Sequence, residues 1–276
     1  MKKASIIAGD PKPVPKPDPK PGHDGLWSPA PSKLKFPASR VDVWRVHLDE
    51  PLKAESGADV LSPAVLSPAV LSPDEIARAR RFHFEKDRIH FARCRSALRG
   101  LLGDYLLIPA AEIHFEYLTS GKPCLAADQN PRALQFNVSH SANMALIAVG
   151  SEHRLGVDIE RIRDDVDTAS LAERFFSRRE RDGLAALPNP LRVTGFYAVW
   201  TRKEAFLKAT GDGLSFPLAD FSVTTHPHRD PELEDIKGDP EAAKQWSLAD
   251  LNVAEGYRAA VVVEGSFSSL ETYTRT

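Results

Sequence analysis

Cysteine is scarce in this chain, long apolar runs are missing, and neither sign of charge dominates. The two cysteines, Cys94 and Cys124, are too few for a disulfide framework and lack metal-ligand spacing, which fits a reducing cytoplasm. No apolar run approaches the ~20 residues needed to cross a bilayer. The start, Met1-Lys2-Lys3-Ala4-Ser5-Ile6-Ile7-Ala8-Gly9, is basic and then briefly apolar, but proline follows too soon for a signal-peptide core. A cytoplasmic protein without a membrane partner is expected. Formal net charge is −2, so nothing points to a nucleic-acid partner, although local basic clusters could hold a small polyanion. Neither a Walker loop nor a dinucleotide fingerprint is found, which argues against a nucleotide hydrolase.

Proline, by contrast, is plentiful at the start. Residues 1–40 carry nine prolines and seven lysines, too little apolar surface to offset the entropy of ordering, and predict a disordered or polyproline extension. Val41 to Leu48 alternates like a first strand. A short repeat follows, Leu61-Ser62-Pro63-Ala64-Val65, Leu66-Ser67-Pro68-Ala69-Val70, Leu71-Ser72-Pro73, and predicts an expanded loop over 60–72. Ser72-Pro73-Asp74-Glu75 opens a helix with a capping box, and helical register continues to about Leu106. The arginines along it, Arg78 to Arg99, read mostly as a solvated face, a few of them free to aim at phosphate.

Strands are expected at Ile113–Tyr117 and Leu134–Val138, with a turn at Thr119-Ser120-Gly121-Lys122-Pro123. Met144–Val149 and Leu155–Glu160 read as a hairpin joined by Ser151-Glu152-His153-Arg154. Ser177-Arg178-Arg179-Glu180 caps a short helix, and a longer one runs from about Val193 to Thr210, stopped by Gly211. Phe221–Thr225, Trp246–Leu251 and Tyr257–Val263 close the chain as strands. The class is α+β, in two halves, 41–152 and 153–276.

The chemistry centres on Leu155-Gly156-Val157-Asp158-Ile159-Glu160. As a strand it puts Val157 and Ile159 on one face and both carboxylates on the other. Taken alone, that pattern suits the solvent face of an antiparallel strand; adjacent carboxylates also suit Mg²⁺, a hard cation that prefers oxygen ligands. On the 193–210 helix Phe196, Val199, Trp200 and Leu207 form the apolar stripe, bordered by Glu204 and Lys208 at i and i+4, a spacing that alone would be an ordinary helix pair. Three carboxylates, one lysine and the Ser139-His140 pair together suit transfer at a pyrophosphate.

These residues resemble the surfactin-synthetase-activating type of 4′-phosphopantetheinyl transferase. The matching pieces are Ser120-Gly121-Lys122-Pro123, Phe136-Asn137-Val138-Ser139-His140-Ser141, Gly156-Val157-Asp158-Ile159-Glu160, Phe175-Phe176-Ser177, Trp200-Thr201-Arg202-Lys203-Glu204-Ala205-Phe206-Leu207-Lys208-Ala209-Thr210-Gly211 and Gly213-Leu214-Ser215. Each is weak alone, but in this order and spacing they are specific, over roughly residues 72–225. The resemblance implies a pseudo-dimer of two similar α+β halves in one chain, a monomer, with coenzyme A as co-substrate in the cleft between them. It implies transfer of the phosphopantetheine arm to a serine of an apo acyl, polyketide or peptidyl carrier protein, releasing adenosine 3′,5′-bisphosphate. Asp158, Glu160 and Glu204 would hold Mg²⁺, with Mn²⁺ as the alternative ion. Glu204 would be the base and Lys208 the partner of the leaving phosphate. Ser139 and His140 would contact coenzyme A phosphates, Lys122 the pyrophosphate or adenine region, and Lys86, with Arg78 second, the 3′-phosphate. Asn137 reads as a turn residue and Trp200 as core. Residues 162–190 are a candidate carrier-docking surface. The competing reading is an inactive coenzyme A-binding or carrier-docking protein, against which every acidic and lysine position is present. No second Gly-Val-Asp-Ile-Glu occurs in 41–150, so the duplication implied by the family is not visible in the residues.

Overall fold

The computed structural model describes residues 27–37, 39–49, 70–211, 213 and 216–275. The proline- and lysine-rich stretch up to residue 26, most of the Leu-Ser-Pro repeat, and Leu214 and Ser215 lie outside the described residues. In chain order the elements are β1 (Ser28–Pro29), β2 (Arg40–His47), α1 (Pro73–Ala79), α2 (Glu85–Leu106), β3 (Phe115–Tyr117), β4 (Pro123–Leu125), β5 (Leu134–Ser141) and β6 (Met144–Ser151). There follow β7 (Leu155–Arg161), α3 (Thr168–Phe175), α4 (Arg178–Ala186), α5 (Asn189–Thr210), β8 (Phe221–Val223), β9 (Leu233–Ile236), α6 (Pro240–Ala243), β10 (Trp246–Asp250), β11 (Tyr257–Glu264) and β12 (Ser269–Arg275).

The duplication lies in the topology. Each half runs strand, short helix or helices, a 22-residue helix, a small strand pair and a larger strand pair. In the first sheet β2 pairs β6, which pairs β5; in the second β7 pairs β11, which pairs β10, all antiparallel. The first sheet is extended by β12, which comes back from beyond the second half to lie parallel to β2.

Three hydrophobic clusters arrange these elements as helix, sheet, sheet, helix. Trp44, Val46, Ala145 and Ile147 pack against Leu98, Leu101 and Leu102 of α2. The opposite faces of both sheets, Val41, Val43, Leu146, Val157, Ile159 and Val261 among them, form the middle layer. Ala260 and Val262 pack against Phe196, Val199, Phe206 and Leu207 of α5. Strands buried on both faces explain the near-continuous apolar runs of β6 and β11.

Three expectations are corrected here. The hairpin predicted for 144–160 does not form, because β6 and β7 belong to different sheets and Ser151–Arg154 crosses between them. The helix predicted from Ser72 to Leu106 is two helices, α1 folding back on α2. Buried Glu75 of α1 accepts hydrogen bonds from Arg95 Nε (2.8 Å) and Arg99 Nε (2.6 Å), so Arg99 is a buried exception in a run of arginines read as mostly solvated. Asn137 sits within β5, not in a turn.

Candidate active site

Close approach of α5 to β7 builds the site. A Cβ on Gly156 would stand 2.1 Å from the Ala205 carbonyl oxygen and 2.4 Å from the Ala209 nitrogen, so only glycine lets the helix lie on the strand there. Gly211, with φ +79°, ends the helix in the left-handed region. Glu204 and Lys208, one turn apart, therefore stand over Asp158 and Glu160. All four, with Ser139, His140 and Trp200, line a cavity of about 390 Å³. Adjoining clefts share its walls. One of about 610 Å³ uses Glu160, Trp200, Arg161 and Arg163, and one of about 260 Å³ uses Glu204, Lys208, Gly121 and Lys122.

Asp158 is buried. Its Oδ1 accepts from Lys208 Nζ at 2.6 Å and from Ser139 Oγ at 2.8 Å, while Oδ2 is shut away from water with no partner. Glu160 Oε2 accepts from Ser141 Oγ at 2.8 Å. The Glu204 carboxylate makes no hydrogen bond or ion pair among the described residues. Burial raises the pKa of all three carboxylates, Glu160 and Glu204 being pushed further by the charge of Asp158 and Asp158 being held back by Lys208. His140 is driven the other way, towards the neutral imidazole, by burial and then by the Lys208 charge.

Among the described residues no three His, Cys, Asp or Glu side chains are drawn tightly enough together to enclose an ion, and Lys208 occupies one oxygen of Asp158. The donor set nonetheless suits a hard divalent cation. It is all oxygen, its like charges lie together in one cavity, and Oδ2 of Asp158 is a buried acceptor without a hydrogen-bond partner.

Other expected site residues fall differently. Ser139 is brought to the carboxylates themselves, where it bonds Asp158 Oδ1 and accepts from Lys208 Nζ at 2.8 Å. Lys122 points inward. Its Nζ donates to the Lys208 carbonyl at 2.6 Å and the Leu155 carbonyl at 3.1 Å, tying the end of α5 to the start of β7 while burial lowers its pKa to about 8. Lys86 is exposed, 3.6 Å from Asp49, and does not line the carboxylate cavity. Trp200 packs against the α5 cluster and lines the cavity as well. Two features escaped the sequence reading. One is Ser141 as partner of Glu160. The other is the fully buried Lys203–Glu180 ion pair (2.7 Å), which fixes α5 to α4 and carries the Ser177–Glu180 capping box. The alternation Asn137-x-Ser139-x-Ser141 was the available signal for the first.

Two duplicated α+β halves, with acids and a lysine gathered where they meet, define a known class of enzyme, and the chain belongs to it: the 4′-phosphopantetheinyl transferase superfamily, whose model matches residues 154–262. The model of a 4′-phosphopantetheinyl transferase N-terminal domain matches residues 63–152, so the two matches divide where the topology repeats. Among curated relatives, the 4′-phosphopantetheinyl transferase HetI of Nostoc sp. is 38% identical over 239 residues, covering 87% of this chain and 94% of its own length. The 4′-phosphopantetheinyl transferase Sfp of Bacillus subtilis is 30% identical over 230 residues, covering 80% and 91%. Among the described residues no helix is long and apolar enough to cross a membrane.

Proposed function

We propose that this enzyme transfers the 4′-phosphopantetheine arm of coenzyme A to a serine of an apo acyl, polyketide or peptidyl carrier protein. The reaction depends on Mg²⁺, with Mn²⁺ as a substitute, and releases adenosine 3′,5′-bisphosphate. The observation that carries the reading is the grouping of Asp158, Glu160, Glu204 and Lys208 in one cavity where the halves meet.

Asp158, Glu160 and Glu204 would hold the cation. When bound, it supplies neutralisation of charge on the pyrophosphate oxygens. Glu204, without a protein partner and with a raised pKa, is the base that takes the serine proton. The serine oxygen forms a bond to the phosphorus that carries the pantetheine arm, and the bond from that phosphorus to the bridging oxygen breaks. Lys208 supplies positive charge where the leaving phosphate develops its own. His140, kept neutral by its surroundings, donates a hydrogen bond to a coenzyme A phosphate without adding a second fixed cation beside Lys208. Lys122 supports the floor from below, and Lys86 waits outside for the 3′-phosphate. Both walls of the cleft come from one chain, so a monomer suffices, and it works in the cytoplasm where coenzyme A and carrier proteins meet.

The test is intact-mass spectrometry of an apo carrier protein incubated with this protein, Mg²⁺ and coenzyme A. The expected result is a gain of one phosphopantetheine arm, abolished by EDTA. No gain on any of several carriers, from a folded protein that still binds coenzyme A, would leave an inactive binder instead.

A further inference from the structure

The seam between the two sheets is built from side chains. Strands β5 and β7 run side by side in the same direction, yet among the described residues no main-chain hydrogen bond joins them. Three side-chain oxygens of β5 take the place of a ladder. Asn137 Oδ1 accepts from Val157 N (2.9 Å), Ser139 Oγ from Ile159 N (3.4 Å) and Ser141 Oγ from Arg161 N (3.1 Å), each across the same separation of 20 residues. A strand's period of two gives this register, since residues 137, 139 and 141 share one face.

A serine hydroxyl has one proton to give and two lone pairs to receive with. Because Ser141 Oγ already accepts the Arg161 N–H, its proton is directed elsewhere, and it goes to Glu160 Oε2 at 2.8 Å. Ser139 does the same one step along the strand, accepting from Ile159 N and donating to Asp158 Oδ1. Each hydroxyl therefore reads the backbone position of β7 and passes it to the carboxylate next to it. Glu160 Oε1 is left with no hydrogen bond among the described residues, and the residue itself lines the cavity.

We propose that Ser141 is a positioning residue for the transfer: anchored on the β7 main chain, it holds the Glu160 carboxylate in the orientation that presents its other oxygen to the divalent cation. The inference rests on the cation reading given above. Glu160 needs such a hold because its neighbours repel it. Asp158 and Glu204 carry like charge, and a glutamate side chain left to rotate would swing towards the larger cleft beside Arg161 and Arg163, whose wall it also lines.

The test uses the intact enzyme with Ser141→Ala, the conservative Ser141→Thr, and a control, Ser151→Ala, which removes a similar serine bond (to the Pro37 carbonyl, 3.0 Å) outside the cavity. Cation affinity is read in two ways, from the Mg²⁺ concentration that half-saturates turnover and from direct Mn²⁺ binding followed by paramagnetic resonance. Loss of a group that orients a metal ligand typically weakens binding 10–100-fold, so both readouts should weaken about tenfold in Ser141→Ala. At saturating cation, kcat and the KM for coenzyme A should return to within about twofold of the parent. Ser141→Thr should restore affinity, and Ser151→Ala should leave it unchanged. Unchanged cation affinity in Ser141→Ala would overturn the proposal while the parent's cation dependence stands, and so would a kcat loss that no cation concentration relieves. A parent enzyme that transfers the arm without any divalent cation would overturn both readings.

Discussion

The two halves carry the same aspartate and use it in opposite ways. Val41-Asp42-Val43 on β2 and Val157-Asp158-Ile159 on β7 hold corresponding places in their sheets, and both acids are bonded to a side chain near the end of the 22-residue helix. In the first half Tyr105 Oη donates to Asp42 at 2.6 Å and Arg40 grips the same carboxylate at 2.9 and 3.1 Å. Two residues after Asp42 stands Trp44, and four before Tyr105 stands Leu101, both buried. In the second half the positions two after Asp158 and four before Lys208 are Glu160 and Glu204. The first half is thus the same frame with apolar side chains at those two positions and both oxygens of its aspartate bonded. The second keeps an unpartnered acceptor and three acids together, which costs stability and is the place where the proposed cation would bind.

That contrast is sharpest if the aspartates are changed one at a time. On the proposed cation role, Asp158→Ala should lower kcat/KM by about a thousandfold or more, since it removes a charge that would hold the ion, with little loss of thermal stability; transfer assays beside calorimetry would show both. Asp42→Asn should do the reverse, costing about 2–4 kcal/mol as the buried pair with Arg40 is broken, while kcat stays within about twofold. If Asp42→Asn instead abolished turnover in a folded protein, the first half would be more than a filled frame. One step smaller are the helix partners. Lys208→Met should reduce kcat about 100-fold, as expected for losing one charge-stabilising group. Tyr105→Phe should cost about 1–3 kcal/mol through the acceptor it deserts, without changing turnover.

The smallest effect is in pH dependence. Asp158, Glu160 and Glu204 hold their protons more tightly folded than unfolded, so stability contributed by the site is present at acid pH and falls as pH rises through their raised values. A cation that binds the ionised, folded form reverses this. Addition of Mg²⁺ at about 100 times its dissociation constant should add roughly 2.7 kcal/mol, a rise of several degrees in Tm near pH 8. The rise should disappear near pH 4, where protons hold the carboxylates. Scanning calorimetry across that range checks it, and Asp42, enclosed by its own partners, should contribute nothing to the cation-dependent part.

Much of the second half could be read from residues, and little of the first. The acidic strand, the helix ending at Gly211 and the Glu204–Lys208 spacing are local patterns whose chemistry survives in one dimension. Partners in space are not local. The alternation of Leu155–Glu160 predicts a strand but not which strand it joins: β6 reads as a hairpin mate from the residues, whereas β7 pairs with the distant β11. The duplication escaped because its remaining residue signature is Val-Asp-Val against Val-Asp-Ile, while topology needs only apolar side chains at the right period. Arg99 with Glu75, and Lys203 with Glu180, lie 24 and 23 residues apart, and composition cannot distinguish a buried ion pair from two solvated charges. Ser141 belongs to a recognisable motif, but its bonds to Glu160 and to Arg161 N exist only because β7 lies beside β5.

The return of β12 to the first sheet has a kinetic side. Residues 269–275 pair with 40–46, and the Arg45 side chain meets Thr274 across a separation of 229 residues. Strand β2 leaves the ribosome with one edge that must wait until the entire second half has been made. Contacts of such long sequence separation form late and slowly, so the first half, although the older partner in synthesis, is the last to be finished. Until then its open edge is the part of the nascent chain most exposed to pairing with a stranger.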